Sequence, residues 1–144
     1  MLIRKATETE LHIIKQHRPI VQKEATVGYL DTNVDIPPDL YVNNSSYYVI
    51  VDNQTLVGWV QIGDTIDNYD FEKVGIITEL YILPHFRKQG YGKKLIQAAL
   101  TIFKRRGLKR AQLNVFAGNK AKTLYESLGF KDISTVMEKY LDRD

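Results

Sequence analysis

The stretch "TELYILPHFRKQGYGKKLIQAAL", Thr78–Leu100, decides the fold. An apolar run through Tyr81, Ile82 and Leu83 stops at Pro84. A loop with Arg87, Lys88, Gly90 and Gly92 follows, and then the apolar spacing changes. Leu95, Ile96, Ala99, Ile102 and Phe103 recur at the 3.6-residue period of a helix with one buried face. Basic residues fill the end of that helix, and Gly107 suits a left-handed C-terminal cap. Strand, glycine loop and helix therefore stand in direct succession.

Working outward, Leu2–Ala6 reads as a first strand. Thr7 to Leu30 reads as one or two helices, with Thr7 as N-cap, Glu10 at capping-box spacing and Pro19 interrupting or restarting the helix. Residues 31–46 read as loop, punctuated by Pro37-Pro38 and an Asn/Ser cluster. Tyr47 to Gly63 reads as a hairpin turning at Asp52-Asn53-Gln54-Thr55. An acidic connection, Asp64–Glu72, leads into a strand ending before Pro84. Beyond the central helix come a strand through Ala111–Ala117, a short helix capped by Asn119 and closed by Gly129, and a last strand from Phe130 to Leu141. This order predicts an α/β (or α+β) fold around a mixed sheet, as a single domain over residues 1–144.

With 44% hydrophobic and 26% charged residues among 144, the chain has the composition of a soluble globular domain. No run approaches the ~20 apolar residues a membrane helix needs, and "MLIRKATETELHI" carries charges too early for a signal peptide. A cytoplasmic location without membrane association is the expectation. Zero cysteines exclude disulfides, thiolate metal sites and a cysteine nucleophile. Net charge is only +3, yet Arg87–Arg110 holds nine Lys/Arg and no acid, leaving 11 basic against 17 acidic residues elsewhere. A basic block in an otherwise acidic domain predicts a polyanionic partner, either a phosphorylated small molecule or a nucleic acid.

Glycines at a strand-to-helix corner let the backbone turn tightly and approach a ligand. The first N–H groups of the helix lack internal acceptors, and its dipole favours an anion there. Lys-Lys-Leu after Gly92 rules out a dinucleotide fingerprint, and no Gly-Lys-Ser/Thr completes a P-loop. The pattern Arg87-x-x-Gly90-x-Gly92 after Tyr81-Ile82-Leu83-Pro84 resembles the acetyl-CoA-binding motif of the GCN5-related N-acetyltransferases (GNAT). A second segment, "NKAKTLYESLGF", resembles the later motif of that family in Asn119, Leu124, Tyr125, Gly129 and Phe130. Lys122 departs from it, standing where alanine is frequent, with Ala121 beside it.

The resemblance implies a mostly antiparallel mixed sheet flanked by helices, with a V-shaped cofactor cleft between two splayed strands. It implies acetyl-CoA as cosubstrate: backbone amides of Gln89, Gly90, Tyr91, Gly92 and Lys93 on the pyrophosphate, and the main chain of Leu80, Tyr81, Ile82 and Leu83 along the pantetheine arm. Arg87, Lys88, Asn119 and Lys122 complete the expected cofactor set. Lys120 and Lys122 stand at a helix start, where a cation is disfavoured and a nearby phosphate would offset that cost.

Acetyl transfer needs a neutral amine, and an alkyl ammonium of pKa ~10.4 is only about 0.04% free base at pH 7, equivalent to about 4.6 kcal/mol of barrier. Glu79, among apolar and aromatic neighbours, is the candidate base, acting directly or through water; strict alternation would place it on one face with Ile77, Tyr81 and Leu83. The leaving thiolate benefits from a proton, and Tyr125 occupies the place of the family's tyrosine acid. No acyl-enzyme is expected. The acceptor pocket is expected from the N-terminal helices, the Pro37-Pro38 loop and the Asp64–Glu72 connection, whose acids and aromatics suit a cationic amine. His12 and His17 read as surface histidines, His85 as solvent-exposed beside the loop, and no metal is expected. A homodimer is left open. Two alternatives stand beside the transferase: a non-catalytic acetyl-CoA sensor of the same fold, and a nucleic-acid-binding module using the basic block.

Overall fold

A computed structural model describes residues 1–30 and 41–143. The Pro37-Pro38 reading lies outside these residues. Eight elements follow in chain order: β1 (Leu2–Lys5), α1 (Glu8–Ala25), β2 (Asn43–Asp52), β3 (Thr55–Ile66), β4 (Lys73–Ile82), α2 (Tyr91–Arg105), β5 (Ala111–Leu113) and α3 (Ala121–Ser127). A single 3-10 turn, Pro84–Phe86, bridges β4 to the glycine loop. The sheet runs β1-β2-β3-β4-β5, antiparallel except for the parallel β4–β5 pair, so it is a mixed, mostly antiparallel α+β sheet.

Local chemistry explains most boundaries. The Thr7 side chain accepts from the Glu10 N–H while the Glu10 carboxylate accepts from the Thr7 N–H, closing a capping box at the start of α1. Pro19 does not divide the helix. One helix of 18 residues runs through it, because losing a single backbone donor is offset where flanking residues pack, with Ile14 and Val21 buried on one side. Asn53 and Gln54 both take positive φ (49° and 64°), the pairing a two-residue hairpin turn requires. Asn43–Ser46 belong to β2 rather than to a loop, since they find partners in β3 as far as Asp64.

Two bulges shape the core. In β3 the extra residue is Val57, between the pairs Ile50↔Gly58 and Val51↔Leu56. In β4 it is Thr78, between Gln61↔Glu79 and Ile62↔Ile77. Each inserted residue switches which side chains face which side of the sheet. Ile77, Leu80 and Ile82 thus join Ile50, Val60, Leu95, Ile96 and Phe103 beneath α2. Tyr81 and Leu83 join Trp59, Val49, Ile14 and Val21 beneath α1. Ile77 and Glu79 do not share a face, and the bulge is the reason. Fully buried Trp59, Ile50, Ile62, Leu95 and Ile96 each contribute roughly 1.5–3 kcal/mol of transfer free energy.

Two expected strands differ. β5 stops at Leu113, short of Ala117, because its ladder with β4 ends at Ile77↔Leu113. Residues 131–141 form no strand: Ile133, Val136, Met137 and Leu141 are exposed, and β-branched residues with no neighbouring edge to bond among the described residues cannot make a ladder. No described helix is long and apolar enough to cross a membrane.

Candidate active site

The end of the β4–β5 ladder opens the site. β4 continues from Thr78 to Ile82 while β5 has already left, so on that side this stretch has no partner strand among the described residues. Its other edge remains paired with Gln61 to Gly58 of β3. The open edge points toward the glycine loop. Lys88 takes φ +64° and Gly90 takes φ +84° as N-cap of α2. Left-handed backbone suits Gly90 and strains Lys88, a distribution often found where a loop is shaped for a ligand. The first bond of this turn runs from Lys94 N–H to the Gly90 carbonyl, 3.2 Å. The N–H groups of Tyr91, Gly92 and Lys93 precede it and are the free donors of the helix start. Lys88, Gln89, Gly90 and Lys93 are all exposed along this rim. A Cβ on Gly92 would meet Leu124 of α3 at 3.5 Å and Leu80 of β4 at 3.8 Å, so α3 packs across the corner.

Several residues expected to face a cofactor spend their polar groups inside the protein. The Arg87 Nε donates to the Ile82 carbonyl at 2.9 Å, and its Nη2 donates to Glu24 of α1 at 2.9 Å. Its guanidinium also lies 5.1 Å from the centre of the Tyr81 ring. Tyr91 donates to the Asp52 carboxylate at 2.8 Å. The Asn119 amide donates to the Ala25 carbonyl and accepts from the Ala121 N–H, both at 2.9 Å, tying the start of α3 to the end of α1. Lys122 is ion-paired with Asp132 at 3.0 Å. These seven contacts build the corner; its exposed donors are backbone N–H groups and the lysines.

Glu79 and Tyr125 lie on opposite faces of β4. On the α1 face, the Trp59 indole N–H donates to Glu79 Oε2 at 2.8 Å. Burial pushes the Glu79 pKa up from the ordinary carboxylate range, against the opposing effects of the Trp59 bond, the Arg18 charge and Tyr47. Burial also pushes the Tyr47 phenol up, and the Glu79 charge adds to it. On the α2 face, Tyr125 packs against the main core with its ring edge-on to Phe130 at 6.1 Å. Its phenol is raised by burial, so it stays protonated at neutral pH.

His17 is half-buried: its ring meets Trp59 at 5.5 Å and Tyr81 at 6.2 Å, and Nδ1 lies 2.8 Å from the Ile13 carbonyl. This differs from the surface position expected for it, because α1 lies over the Trp59 side of the sheet. His85 is exposed. Trp59 was not singled out by sequence; the only tryptophan of the chain, in an apolar run, was the available signal. The Asp64–Glu72 connection also departs from expectation. Asp64 pairs with Lys73 and accepts from Asn44, while Arg110 gathers Asp67, Asp70 and Glu72. Its acids are engaged in these contacts, and Asp64, opposite Gly75, stands about 13 Å from Glu79 along four residues of β4.

Comparison with known proteins agrees with this architecture. The sequence model of the Acetyltransferase (GNAT) family matches residues 14–130. The chain is 29% identical over 92 residues to YhfO of Bacillus subtilis, an uncharacterized N-acetyltransferase, covering 62% of each. It spans less than two thirds of the length of the curated relatives it matches. Among solved structures, a tetramutant of the BH1408 protein of Bacillus halodurans superposes with a TM-score of 0.73 at 21% identity, over 98% of this chain and 100% of the other. The aminoglycoside N-acetyltransferase AAC(6')-Iy, solved in complex with CoA, gives 0.68 at 19% identity, over 96% and 98%. At these identities the superpositions speak for the fold.

Proposed function

The chain belongs to the GNAT acetyltransferase family, and from that premise we propose that it moves an acetyl group from acetyl-CoA directly to a primary amine of a small molecule, peptide or protein. The observation that carries this reading is the unpaired Thr78–Ile82 edge of β4, running toward the free N–H end of α2. An acyl carrier with amide groups and a diphosphate fits both halves: the edge offers main-chain donors and acceptors, and the helix start offers N–H groups, dipole and lysines. We assign Leu80, Tyr81, Ile82 and Leu83 to the arm and Gln89 to Lys93, with Lys88, to the phosphates. The contacts of Arg87, Asn119 and Lys122 make them supports of that corner that can also reach the cofactor. One domain over residues 1–144, acting in the cytoplasm, completes the proposal.

When bound, acetyl-CoA supplies the acetyl group as a reactive thioester. Glu79 accepts the proton released as the amine nitrogen bonds to the acetyl carbon, directly or through one water. Tyr125 gives a proton to the sulfur as the C–S bond breaks, and solvent restores both groups. The raised Glu79 pKa brings the base nearer the working pH, where proton transfer is most effective. The raised Tyr125 pKa keeps its proton available until a thiolate calls for it.

Calorimetry with acetyl-CoA, then thiol release across an amine panel, tests the proposal. Saturable heat and acceptor-dependent thiol support it. Binding without release from any amine would favour a cofactor sensor, and absence of heat at millimolar acetyl-CoA would remove the reading.

A further inference from the structure

The face of β4 that carries Glu79 is roofed by the middle of α1. His17 rests edge-on against Trp59, whose indole N–H holds the Glu79 carboxylate, and Tyr81 stacks 5.2 Å from Trp59. The next residue, Arg18, is exposed. Other arginines have their charge answered: Arg4 by Glu10, Arg87 by Glu24, Arg110 by three acids and Arg143 by Asp142. Arg105 and Arg106, which have no such partner, sit at the C-terminal end of α2, where the helix dipole welcomes a cation. Arg18 has neither an acid within ion-pair distance among the described residues nor a helix end. It stands mid-helix, next in sequence to the His17 that meets Trp59 and Tyr81.

We propose that Arg18 reads the acceptor, and that the acceptor is an amine carrying a carboxylate close to its amino group. This deepens the transferase reading and rests on it. An amine seated against Glu79 would place a neighbouring carboxylate toward α1, where a guanidinium can take it through two parallel hydrogen bonds. The same positive charge disfavours the ammonium form and so favours the free base that must attack. It repels a polyamine. The opposite expectation, a cationic acceptor drawn by the Asp64–Glu72 acids, is weakened because each of the four is already held in an ion pair with Lys73 or Arg110. Arg18 already acts across this space, since its charge lowers the pKa of both Glu79 and Tyr47.

The test compares phenylalanine, glutamate and β-alanine with their carboxamides, and with spermidine, in thiol-release assays of the wild type, Arg18→Ala, Arg18→Lys and Arg18→Glu. The quantity read is the carboxylate-to-carboxamide ratio of kcat/KM, compared between variants so that differences in amine basicity cancel. We expect Arg18→Ala to lower this ratio at least tenfold, chiefly through KM of the carboxylate acceptors. Arg18→Lys should restore part of it, and Arg18→Glu should turn the preference toward spermidine. A ratio within twofold of wild type in Arg18→Ala overturns the assignment while leaving the transferase reading intact. A wild type that favours carboxamides or spermidine overturns it as well. Acetyl-CoA binding without thiol release from any acceptor overturns the transferase reading, and this assignment with it.

Discussion

The two halves of β4 share one strand and differ in almost everything else. From Gly75 to Ile77 the backbone is paired on both sides, and Gly75 lets the Phe103 ring of α2 come so near that a Cβ would lie 2.6 Å from it. The acids at this end are drawn into the structure. Asp67 accepts from Gln112 and from the Tyr69 and Asp70 N–H groups, which hold its pKa down to about 2. From Thr78 to Ile82 one edge is open, and the acid on this half, Glu79, is shifted the other way by burial. Two carboxylates near one strand diverge because one is given donors and the other is mainly deprived of water. The sealed half stabilises; the open half is left free for chemistry.

Substitutions can break that division. Tyr125→Phe, on the open half, has the largest expected effect: kcat falls about 10²–10⁴-fold with acetyl-CoA affinity nearly unchanged in calorimetry. Lost affinity with intact kcat would remove Tyr125 as the acid. Glu79→Gln comes next, with kcat/KM near pH 7 falling about 100-fold and depending more steeply on high pH. An unchanged pH profile would remove it as the base. Its stability effect has a defined sign. Because the folded-state pKa of Glu79 is raised, the folded form holds its proton longer, so wild-type stability declines as pH rises from the ordinary carboxyl value of 4.5 through the raised value. Urea midpoints of Glu79→Gln should lack that decline.

On the sealed half the pattern should reverse. Gly75→Ala forces the Phe103 ring aside and should cost about 1–3 kcal/mol in urea unfolding, while the residual folded protein keeps its kcat. Asp67→Asn should lower Tm at neutral pH and leave turnover alone. Since the Asp67 pKa is depressed, the difference from wild type should be full above pH 3.8 and vanish as pH falls through about 2. Arg87→Ala sits at the junction and has the smallest expected cost, about 0.2–1 kcal/mol for a largely exposed pair. A larger loss of acetyl-CoA affinity than of stability would show that it serves the cofactor as well as the fold.

What could be read in advance follows the same boundary. The capping box at Thr7 and Glu10, the hairpin turn at Asn53-Gln54, and the left-handed closures at Gly107 and Gly129 are local, and sequence displays them. The strand–glycine–helix corner was legible for that reason. The Thr78 bulge was not, because an inserted residue is defined only against the register of β3. Strict alternation therefore grouped Ile77 with Glu79. The Arg87–Glu24 pair joins residues 63 apart and Trp59–Glu79 joins residues 20 apart, distances at which spacing carries no signal. Residues 131–141 carry the β-branched Ile133, Thr135 and Val136, yet a strand is made by its neighbour as much as by its own composition.

The placement of Glu79 and Tyr125 on opposite faces has one further consequence. After a turnover, a carboxylic acid and a phenolate in one chamber could restore each other by passing the proton across directly. With a layer of main chain between them, the proton taken up and the proton given away leave and enter by separate doors. Each turnover of the proposed reaction then costs two independent exchanges with water, and solvent isotope effects on the two sides of the sheet should be separable.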